Sequence, residues 1–508
     1  MLHNLVAKVH SGEVTPTDLV EESLRRIAAS ESLNAVTEIF ADEALREAKS
    51  HTGRGLLAGL PLLVKDMVRI KGHRTTFGSR LYADAPNDLE DDIALARLRE
   101  AGAIVIGRTN TPEFGSVGYT ANDLYGITRN PWGDAYSPGG SSGGSAAALA
   151  AGLAPLATTS DGGGSVRAPA SFCGLVGHKP TFGAIGRNFL PRWIEFSTQG
   201  ATASTVADVI LQLEIMSGPG RGDFLSLAPG SASFAVEMPR KVLAVRTFRA
   251  DVDRDVEENF ERTLEVLAAS GVVVERCASP TDNASVGDWF TISSAELAQS
   301  LSGLSDRAGE LTEYNQFNLK YGSQIALSDY LTASRRRHEL SARFDDVLGT
   351  DCVIVVPTVN CRSFPAEGPL PVDVGSVVRD RTVAYNCTDA SFTGHPATSV
   401  PMGLDNNGVP TGLQIIAPRF RDGLALGLAQ HLENVQPWPL VAPGSLAVFL
   451  GGMLVSIPAC AWACGEAEKA LRQTDPPSVV LDEIIAVPLC FMTWVLNRFL
   501  ATGQMPEL

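Results

Sequence analysis

Apolar and polar positions along the chain follow two rhythms, one typical of helices and one typical of strands. Residues 13–29 carry apolar side chains at helical spacing, and Thr17 is the predicted N-terminal cap of that helix. The run 60–66, apolar until it ends on a charged pair, is short enough to be a buried strand. A helix over about 90–101 and a strand over 103–107 follow. This succession predicts an α/β core.

The same rhythm continues to about residue 440. An Ala-rich helix is predicted over 145–153, and later helices over 253–270 and 422–434. The remaining predicted strands are 156–159, 243–246, 352–357, 398–402 and 412–417. We therefore expect residues 1–440 to form one large domain of the α/β fold class, with a mixed central sheet and helices on both of its faces.

The C-terminal tail, residues 441–508, has a different pattern. No charged residue occurs from 435 to 465, and the window 446–464 is long and apolar enough to span a membrane. Pro458 and the small residues around it favour a buried helical hairpin instead. The tail is therefore a separate hydrophobic segment, and membrane contact through 446–464 is one interpretation of it.

Composition and charge narrow the classes of function. The 508 residues include 41 Lys and Arg against 57 Asp and Glu, for a formal net charge of −16. Proteins that bind nucleic acids present a basic surface, so we expect no nucleic-acid partner. The 8 Cys form no CxxC pair, which predicts reduced thiols and no zinc site. The N-terminus shows no secretory signal, so the expected location is cytoplasmic.

Candidate chemistry begins at Lys65, which follows the apolar part of the first predicted strand. Burial of an ammonium group is costly, and the cost is relieved when the pKa falls and the amine is neutral. A neutral lysine is a competent general base. The alternative interpretation of this pattern is a salt-bridged strand end.

Two segments rich in Gly and Ser lie further along the chain, at 137–145 and 159–170. In the second segment three consecutive glycines precede Ser165, so backbone N–H groups can point at a position beside its hydroxyl. An oxyanion hole requires that geometry. Either segment alone also fits a turn or a phosphate cradle, although neither ends on the Gly-Lys-Ser/Thr of a P-loop.

Together these segments resemble the amidase-signature family. The family's hallmark is a Gly-Gly-Ser-Ser-Gly-Gly-Ser loop, here 139–145, followed by an Asp-x-Gly-Gly-Ser-[Ile/Val]-Arg-x-Pro-Ala segment, here 161–170. Further similar segments are 171–181, 330–333, 394–397 and 412–415. The resemblance covers about residues 1–440 and implies a serine hydrolase of that fold.

The resemblance also implies a Ser–cisSer–Lys triad. Carried over position by position, it makes Ser165 the nucleophile, Ser141 the residue that relays its proton, and Lys65 the base. The family has a cis peptide bond before the relaying serine, here Gly140–Ser141. The oxyanion would be held by the backbone N–H groups of Gly162, Gly163, Gly164 and Ser165.

Three other motif positions, Ser142, Asp161 and Arg167, are implied to support the loops. This chain has Ser160 where the family usually has Thr, and Gly at 162. Both departures leave the implied triad intact.

The implied reaction is hydrolysis of a small-molecule amide through an acyl-enzyme, with esters and carbamates (urethanes) as further substrate classes. The resemblance requires no metal and no organic cofactor, and it leaves a homo-oligomer open. Some family members are glutaminase subunits of a tRNA amidotransferase that work with companion chains. A glutaminase-type subunit is therefore the alternative function.

An α/β-hydrolase is the competing enzyme class, because 140–144 fits the pattern G-x-S-x-G. That fold needs a strand that leads directly into the nucleophile and a histidine later in the chain. Residues 131–138 are loop-like, and His178 and His395 have ordinary places in the segments above. The amidase-signature interpretation is therefore preferred.

Part of the tail has a resemblance of its own. Within 445–508, the stretch 468–492 is loosely similar to the middle of a phosphatidylglycerophosphatase A-like membrane protein. The rest of that protein has no counterpart here, so we expect an appended fragment rather than phosphatase activity.

Overall fold

A computed structural model describes residues 2–249, 251–369, 373–374, 377–378 and 386–438. Its helices are α1 (Leu2–Ser11), α2 (Pro16–Ala29), α3 (Ala41–Ser50), α4 (Ile93–Glu100), α5 (Gly143–Ala150), α6 (Arg167–Cys173), α7 (Val206–Met216), α8 (Arg254–Ala269), α9 (Ala284–Ser300), α10 (Glu313–Gly322), α11 (Leu327–Leu348), α12 (Thr388–Phe392) and α13 (Asp422–Val435). Short 3₁₀ segments lie at Glu31–Leu33, Arg80–Tyr82, Glu113–Gly115 and Ser302–Glu310.

The strands confirm the α/β class. They are β1 (Val36–Ile39), β2 (Pro61–Lys65), β3 (Ile104–Thr109), β4 (Ala121–Asn122), β5 (Gly126–Ile127), β6 (Leu156–Ala157), β7 (Thr159–Asp161), β8 (Val176–Lys179), β9 (Thr198–Ala203), β10 (Lys241–Ala244), β11 (Val274–Arg276), β12 (Cys352–Pro357), β13 (Asp373–Val374), β14 (Val377–Val378), β15 (Ala397–Leu404) and β16 (Pro410–Ile416).

An eight-stranded sheet forms the centre of the fold, in the order β11-β10-β12-β16-β15-β8-β9-β7. Strand β10 runs parallel to β11 and β12, whereas the pairs from β12 to β7 are antiparallel, so the predicted mixed sheet is confirmed. Every residue of β12 is buried, which explains its continuous apolar sequence. Leu340 and Phe344 of α11 pack in one cluster with Ile354 and Val356 of that strand.

A second sheet of four strands, in the order β1-β3-β2-β6, was not predicted. The run 156–159, predicted as one strand, is divided between the two sheets, with β6 in the small sheet and β7 in the large one. Thr158 lies at the crossing. Its hydroxyl accepts a hydrogen bond from the backbone N–H of Lys65 at 2.9 Å, and its carbonyl accepts one from Ser145 Oγ at 2.8 Å. The crossing therefore connects β2 to the loop that carries Asp161.

The first predicted helix begins at a different residue from the one expected. Thr15, and not Thr17, caps α2, because Pro16 occupies the first helical position, where its missing N–H costs nothing. Thr15 Oγ1 accepts from the Asp18 N–H at 3.1 Å, and the Asp18 carboxylate accepts from the Thr15 N–H at 2.8 Å. This reciprocal pair is a capping box.

Helices α9, α10 and α11 form a layer that the sequence pattern did not delimit. Helix α9 packs against both α10 and α11. Trp289 and Ile292 of α9 join the same apolar cluster as Phe344 of α11. This layer supplies part of the wall around the candidate site.

Among the described residues, no helix is long and apolar enough to cross a bilayer. The tail 441–508, predicted as a separate segment, lies outside the described ranges, and with it the window 446–464 and the stretch 468–492. The described cysteines are unpaired thiols, as predicted, and they are Cys173, Cys277, Cys352, Cys361 and Cys387.

Candidate active site

Lys65 ends strand β2, and its side chain is fully buried. Its Nζ donates hydrogen bonds to Ser141 Oγ at 2.8 Å, to Ser142 Oγ at 2.9 Å and to Ser160 Oγ at 3.1 Å. Burial lowers the pKa of Lys65 to about 7, although the charge of Asp161 opposes this shift. A substantial fraction of the amine is therefore neutral near neutral pH, and the interpretation as a salt-bridged strand end is wrong.

Ser141 lies in the loop before α5, and the Gly140–Ser141 peptide bond is cis, as predicted. The Ser141 carbonyl accepts from Thr111 Oγ1 at 3.0 Å, which holds the loop against the chain beyond β3. Ser142 stands at the N-terminal end of α5, and its hydroxyl donates to the Ser160 carbonyl at 3.2 Å. Each of these two serines is therefore fixed by contacts from a different part of the chain.

Ser165 follows strand β7 in a loop that returns to the Ser141 segment. The backbone N–H of Ser142 donates to the Ser165 carbonyl at 3.3 Å. Within the described part of the chain the Ser165 hydroxyl makes no hydrogen bond, and the residue lines two cavities. The serine is thus close to the Lys65 cluster and open to a ligand.

The glycines before Ser165 make room for two indole rings. A Cβ atom on Gly162 would lie 2.4 Å from Trp193, and one on Gly163 would lie 2.8 Å from Trp289. Trp289 Nε1 also donates to the Gly162 carbonyl at 2.9 Å. The loop can therefore lie directly against the aromatic wall only because these positions carry no side chain.

One part of the predicted oxyanion hole needs correction. The backbone N–H of Gly164 donates to Asp161 Oδ1 at 2.8 Å, so it is already engaged. The N–H groups of Gly162, Gly163 and Ser165 make no hydrogen bond within the described residues. The sequence pattern could not distinguish these donors, because the competing acceptor lies inside the same loop.

Asp161 and Arg167 form a buried ion pair beneath the loop, with Arg167 Nη2 at 2.8 Å from Asp161 Oδ1. Burial opposes ionisation of the carboxyl, but Arg167 outweighs it and holds the pKa of Asp161 well below its usual range. Asp161 also accepts from the Val166 N–H at 3.1 Å, and Arg167 donates to Ser391 Oγ at 2.6 Å. The pair therefore ties the Ser165 loop to the segment around α12.

Replacement of Asp161 by Asn should destabilise the fold by about 3–5 kcal/mol, because it leaves the Arg167 charge buried without its partner. Urea-induced unfolding followed by fluorescence measures the change. Asp351→Asn is a matched control, because its exposed pair with Arg240 should contribute about 1 kcal/mol or less. Equal shifts in the two variants would contradict a structural role for the buried pair.

An aromatic cavity of about 1120 Å³ opens on one side of Ser165. Gly163 and Gly164 reach it together with the serine. Its other lining residues include Tyr119, Trp193, Val286, Trp289, Phe290, Leu297, Tyr314 and Phe317. A space of this size and lining suits an apolar or aromatic group.

A basic cavity of about 750 Å³ opens on the other side and is lined by Ser141, Ser160 and Gly162 as well as Ser165. Its wall differs in charge from that of the aromatic cavity, since it contains Arg69, Arg187 and Arg192. Ser165 and Trp193 line both cavities. A bound molecule can therefore extend in two directions from the serine.

The two histidines that an α/β-hydrolase would need are engaged elsewhere. His178 contacts Thr398 Oγ1 at 2.8 Å and Asp422 Oδ1 at 3.1 Å. His395 contacts Thr393 Oγ1 at 2.7 Å and Asp345 Oδ1 at 3.1 Å, and burial lowers its pKa to about 4. Neither histidine lines the cavities at Ser165.

Several residues of the site were not identified from the sequence. Ser160 contacts Lys65, Trp193 and Trp289 cover the glycine loop, and Ser391 supports the ion pair. Only Ser160 lies in the motif, where its hydroxyl was the available signal. The described residues contain no group of three or more His, Cys, Asp or Glu arranged to hold a metal ion.

Comparison with known proteins agrees with this arrangement. The family model described as Amidase matches residues 18–426. The acylamidase of Rhodococcus erythropolis is 33% identical over 453 residues, which cover 85% of this chain and 95% of that protein. One of the glutamyl-tRNA(Gln) amidotransferase subunits of Synechococcus sp. (strain CC9605) is 31% identical, over 84% of this chain and 94% of that one.

A solved structure gives the same result for the fold. The 6-aminohexanoate cyclic dimer hydrolase, in complex with its substrate, superimposes with a TM-score of 0.77 at 28% sequence identity. The match covers 86% of this chain and 97% of the hydrolase. The similarity therefore extends over the part of the chain that carries both sheets.

Proposed function

This chain belongs to the amidase family and is a hydrolase that acts on carbon–nitrogen bonds, and we propose that it cleaves small-molecule amides with Ser165 as nucleophile. The observation that carries the proposal is the 2.8 Å contact between the buried Lys65 Nζ and Ser141 Oγ beside the open hydroxyl of Ser165. A lysine with a pKa near 7 can accept a proton at physiological pH.

The proposed first step transfers two protons and forms one bond. Neutral Lys65 takes the proton of Ser141, Ser141 takes the proton of Ser165, and Ser165 Oγ attacks the substrate carbonyl. The free N–H groups of Gly162, Gly163 and Ser165 are available to hold the oxyanion that forms. The tetrahedral intermediate then collapses as Ser141 donates a proton to the leaving nitrogen and regains one from Lys65.

Deacylation repeats the sequence with water in place of Ser165. The same lysine and serine remove a proton from water, which attacks the acyl ester, and Ser165 leaves with its proton restored. Asp161 and Arg167 do not contact the reacting atoms in this scheme. They position the loop through the Gly164 and Val166 N–H groups.

The aromatic cavity supports an apolar or aromatic acyl group as the preferred substrate. Burial of apolar surface against Trp289, Phe290 and Phe317 favours such groups over acetyl by about 0.8 kcal/mol per buried methylene. Esters and carbamates of the same acyl groups present a similar carbonyl and are proposed as further substrates. A panel of aryl amides, fatty amides, esters and carbamates tests this, and a preference for acetyl over longer acyl groups would contradict it.

A glutaminase-type role is the second candidate, because the relatives include amidotransferase subunits. Glutamine is small and highly polar, whereas the cavity beside Gly163 is large and aromatic. We therefore favour simple amides. Turnover of aryl amides by the isolated chain, without ammonia release from glutamine, would support the favoured function, and the opposite pattern would support the glutaminase.

The pH dependence of turnover should follow the pKa of Lys65. Because the neutral amine is the active form, kcat/KM should fall about tenfold per pH unit below pH 7 and level off above it. The profile is measured on a substrate that does not itself titrate between about pH 5 and 9. Lys65→Met should lose this limb. Persistence of the limb would assign it to another group, such as Asp92, whose pKa burial raises to about 6.

A further inference from the structure

The basic cavity lies on the side of Ser165 from which the leaving group receives its proton. Ser141 lines this cavity, whereas Gly163 and Gly164 line the aromatic one. In the proposed mechanism Ser141 protonates the leaving nitrogen, so the amine half of the substrate must lie within reach of Ser141. The acyl half then occupies the aromatic cavity, and the amine half occupies the basic cavity.

Arg192 is the unusual residue of the basic cavity. Its guanidinium lies over the rings of Phe114 at 4.2 Å, Phe77 at 4.5 Å and Tyr82 at 5.7 Å from the ring centroids. Its Nε is buried and has no hydrogen-bond partner. Among the described residues no carboxylate lies within ion-pair distance of it, and a hydrogen bond with the Tyr82 side chain supports its charge.

The other two arginines of this cavity are already neutralised. Arg187 pairs with Asp223 through Nη2 at 3.1 Å and Nε at 3.2 Å. Arg69 lies 3.6 Å from Asp88. Arg192 is therefore the cation of this wall that remains available to a ligand.

The acidic groups of the cavity do not cancel this charge. Burial raises the pKa of Asp92 and of Glu296, which weakens their negative charge. Glu296 is also occupied, since it accepts from the Ile194 N–H at 2.8 Å and from Tyr330 OH at 3.0 Å. The net character of the cavity is thus positive.

We propose that Arg192 binds an acidic group on the leaving amine, so that the preferred substrates are N-acyl derivatives of amino acids or aminobenzoates. The aromatic rings hold the guanidinium plane in place before binding, and a planar carboxylate matches its fork of N–H donors. The proposal rests on the proposed function of Ser165 and names the substrate class of that site.

The test compares two substrates that differ only in charge at the same position, para-(butyrylamino)benzoate and para-(butyrylamino)acetophenone. The wild type should show a kcat/KM about 10- to 100-fold higher for the benzoate, because a hydrogen-bonded charge pair is gained. Arg192→Gln should bring the ratio of the two kcat/KM values close to unity. Arg192→Lys should retain part of the preference. The ratio is the readout because the amount of folded enzyme cancels from it.

Arg254→Gln is the matched control, since that side chain is 91% exposed on α8 and should leave the ratio unchanged. Competitive inhibition of the wild type by para-aminobenzoate and by para-aminoacetophenone needs no variant, and the acid should bind more tightly. Equal inhibition constants, or an unchanged ratio in Arg192→Gln, would overturn the proposal.

Placing the carboxylate on the acyl half gives the second contrast. With para-carboxybenzoyl and para-acetylbenzoyl anilides, Arg192→Gln should leave the ratio of the two kcat/KM values as it is in the wild type. Dependence of that ratio on Arg192 would refute the assignment of the amine half to the basic cavity. Full turnover of the neutral substrates by Ser165→Ala would instead refute the proposed function itself, so the two failures are distinguishable.

Discussion

Replacement of Ser165 by Ala is expected to lower kcat/KM for amide hydrolysis by about 10⁴-fold or more. The substitution removes one oxygen from a side chain whose hydroxyl makes no hydrogen bond within the described part of the protein, so the fold should be unaffected. Activity is measured with an aryl amide that releases a coloured amine. A thermal unfolding scan of the same preparation reports on folding.

Ser171→Ala provides the control for this variant. Ser171 is a buried serine of α6 that lies against β16 near Gly412 rather than at Lys65. It should retain activity within a few-fold of the wild type. A loss in Ser171→Ala as large as that in Ser165→Ala would attribute both effects to packing. Near-normal turnover by Ser165→Ala would remove the nucleophile from the mechanism.

Replacement of Lys65 by Met should lower kcat/KM for amides by about 10²- to 10⁴-fold, which is the usual contribution of a general base. Met keeps most of the volume of the buried side chain but cannot carry a proton to or from Ser141. The loss should be smaller for an activated aryl ester with the same acyl group, because a phenolate leaves without being protonated. The comparison of ester and amide therefore isolates protonation of the leaving group.

Lys179→Met is the matched control for the second prediction. Lys179 is similarly buried, and burial lowers its pKa to about 7 as well, but its Nζ donates to the Pro180 carbonyl at 2.8 Å and does not reach the serine cluster. Its turnover per folded molecule should stay close to that of the wild type. Equal losses of amide and ester turnover in Lys65→Met would contradict its role in protonating the leaving nitrogen.

The fold class and most individual elements were predictable, because burial imposes a period on the sequence. Strand β12 illustrates this, since its apolar residues 352–357 are all buried. The second sheet was not predictable, because Leu156 and Thr159 belong to one short stretch and only tertiary contacts of Thr158 divide it. Local pattern contains no information about which sheet a strand joins.

The candidate site shows the same division between local and distant information. Ser141, Asp161 and Ser165 lie in glycine-rich motifs that are visible in one short stretch of sequence. Trp289 and Arg192 were not identifiable, because their importance comes from contacts with residues distant in sequence, Gly163 and Phe114. The engagement of the Gly164 N–H by Asp161 was also invisible, since it depends on the conformation of the loop.

The crossing at Thr158 has a consequence for how the enzyme tolerates change. Lys65 belongs to the small sheet, whereas Asp161 and the loop to Ser165 extend from the large one, and Thr158 joins the two. The spacing between base and nucleophile is therefore set by the alignment of two separate sheets. Substitutions that shift one sheet against the other, even far from either cavity, would lower the rate while every reacting residue stays in place. Turnover number is in this sense a gauge of the interior register of the whole domain.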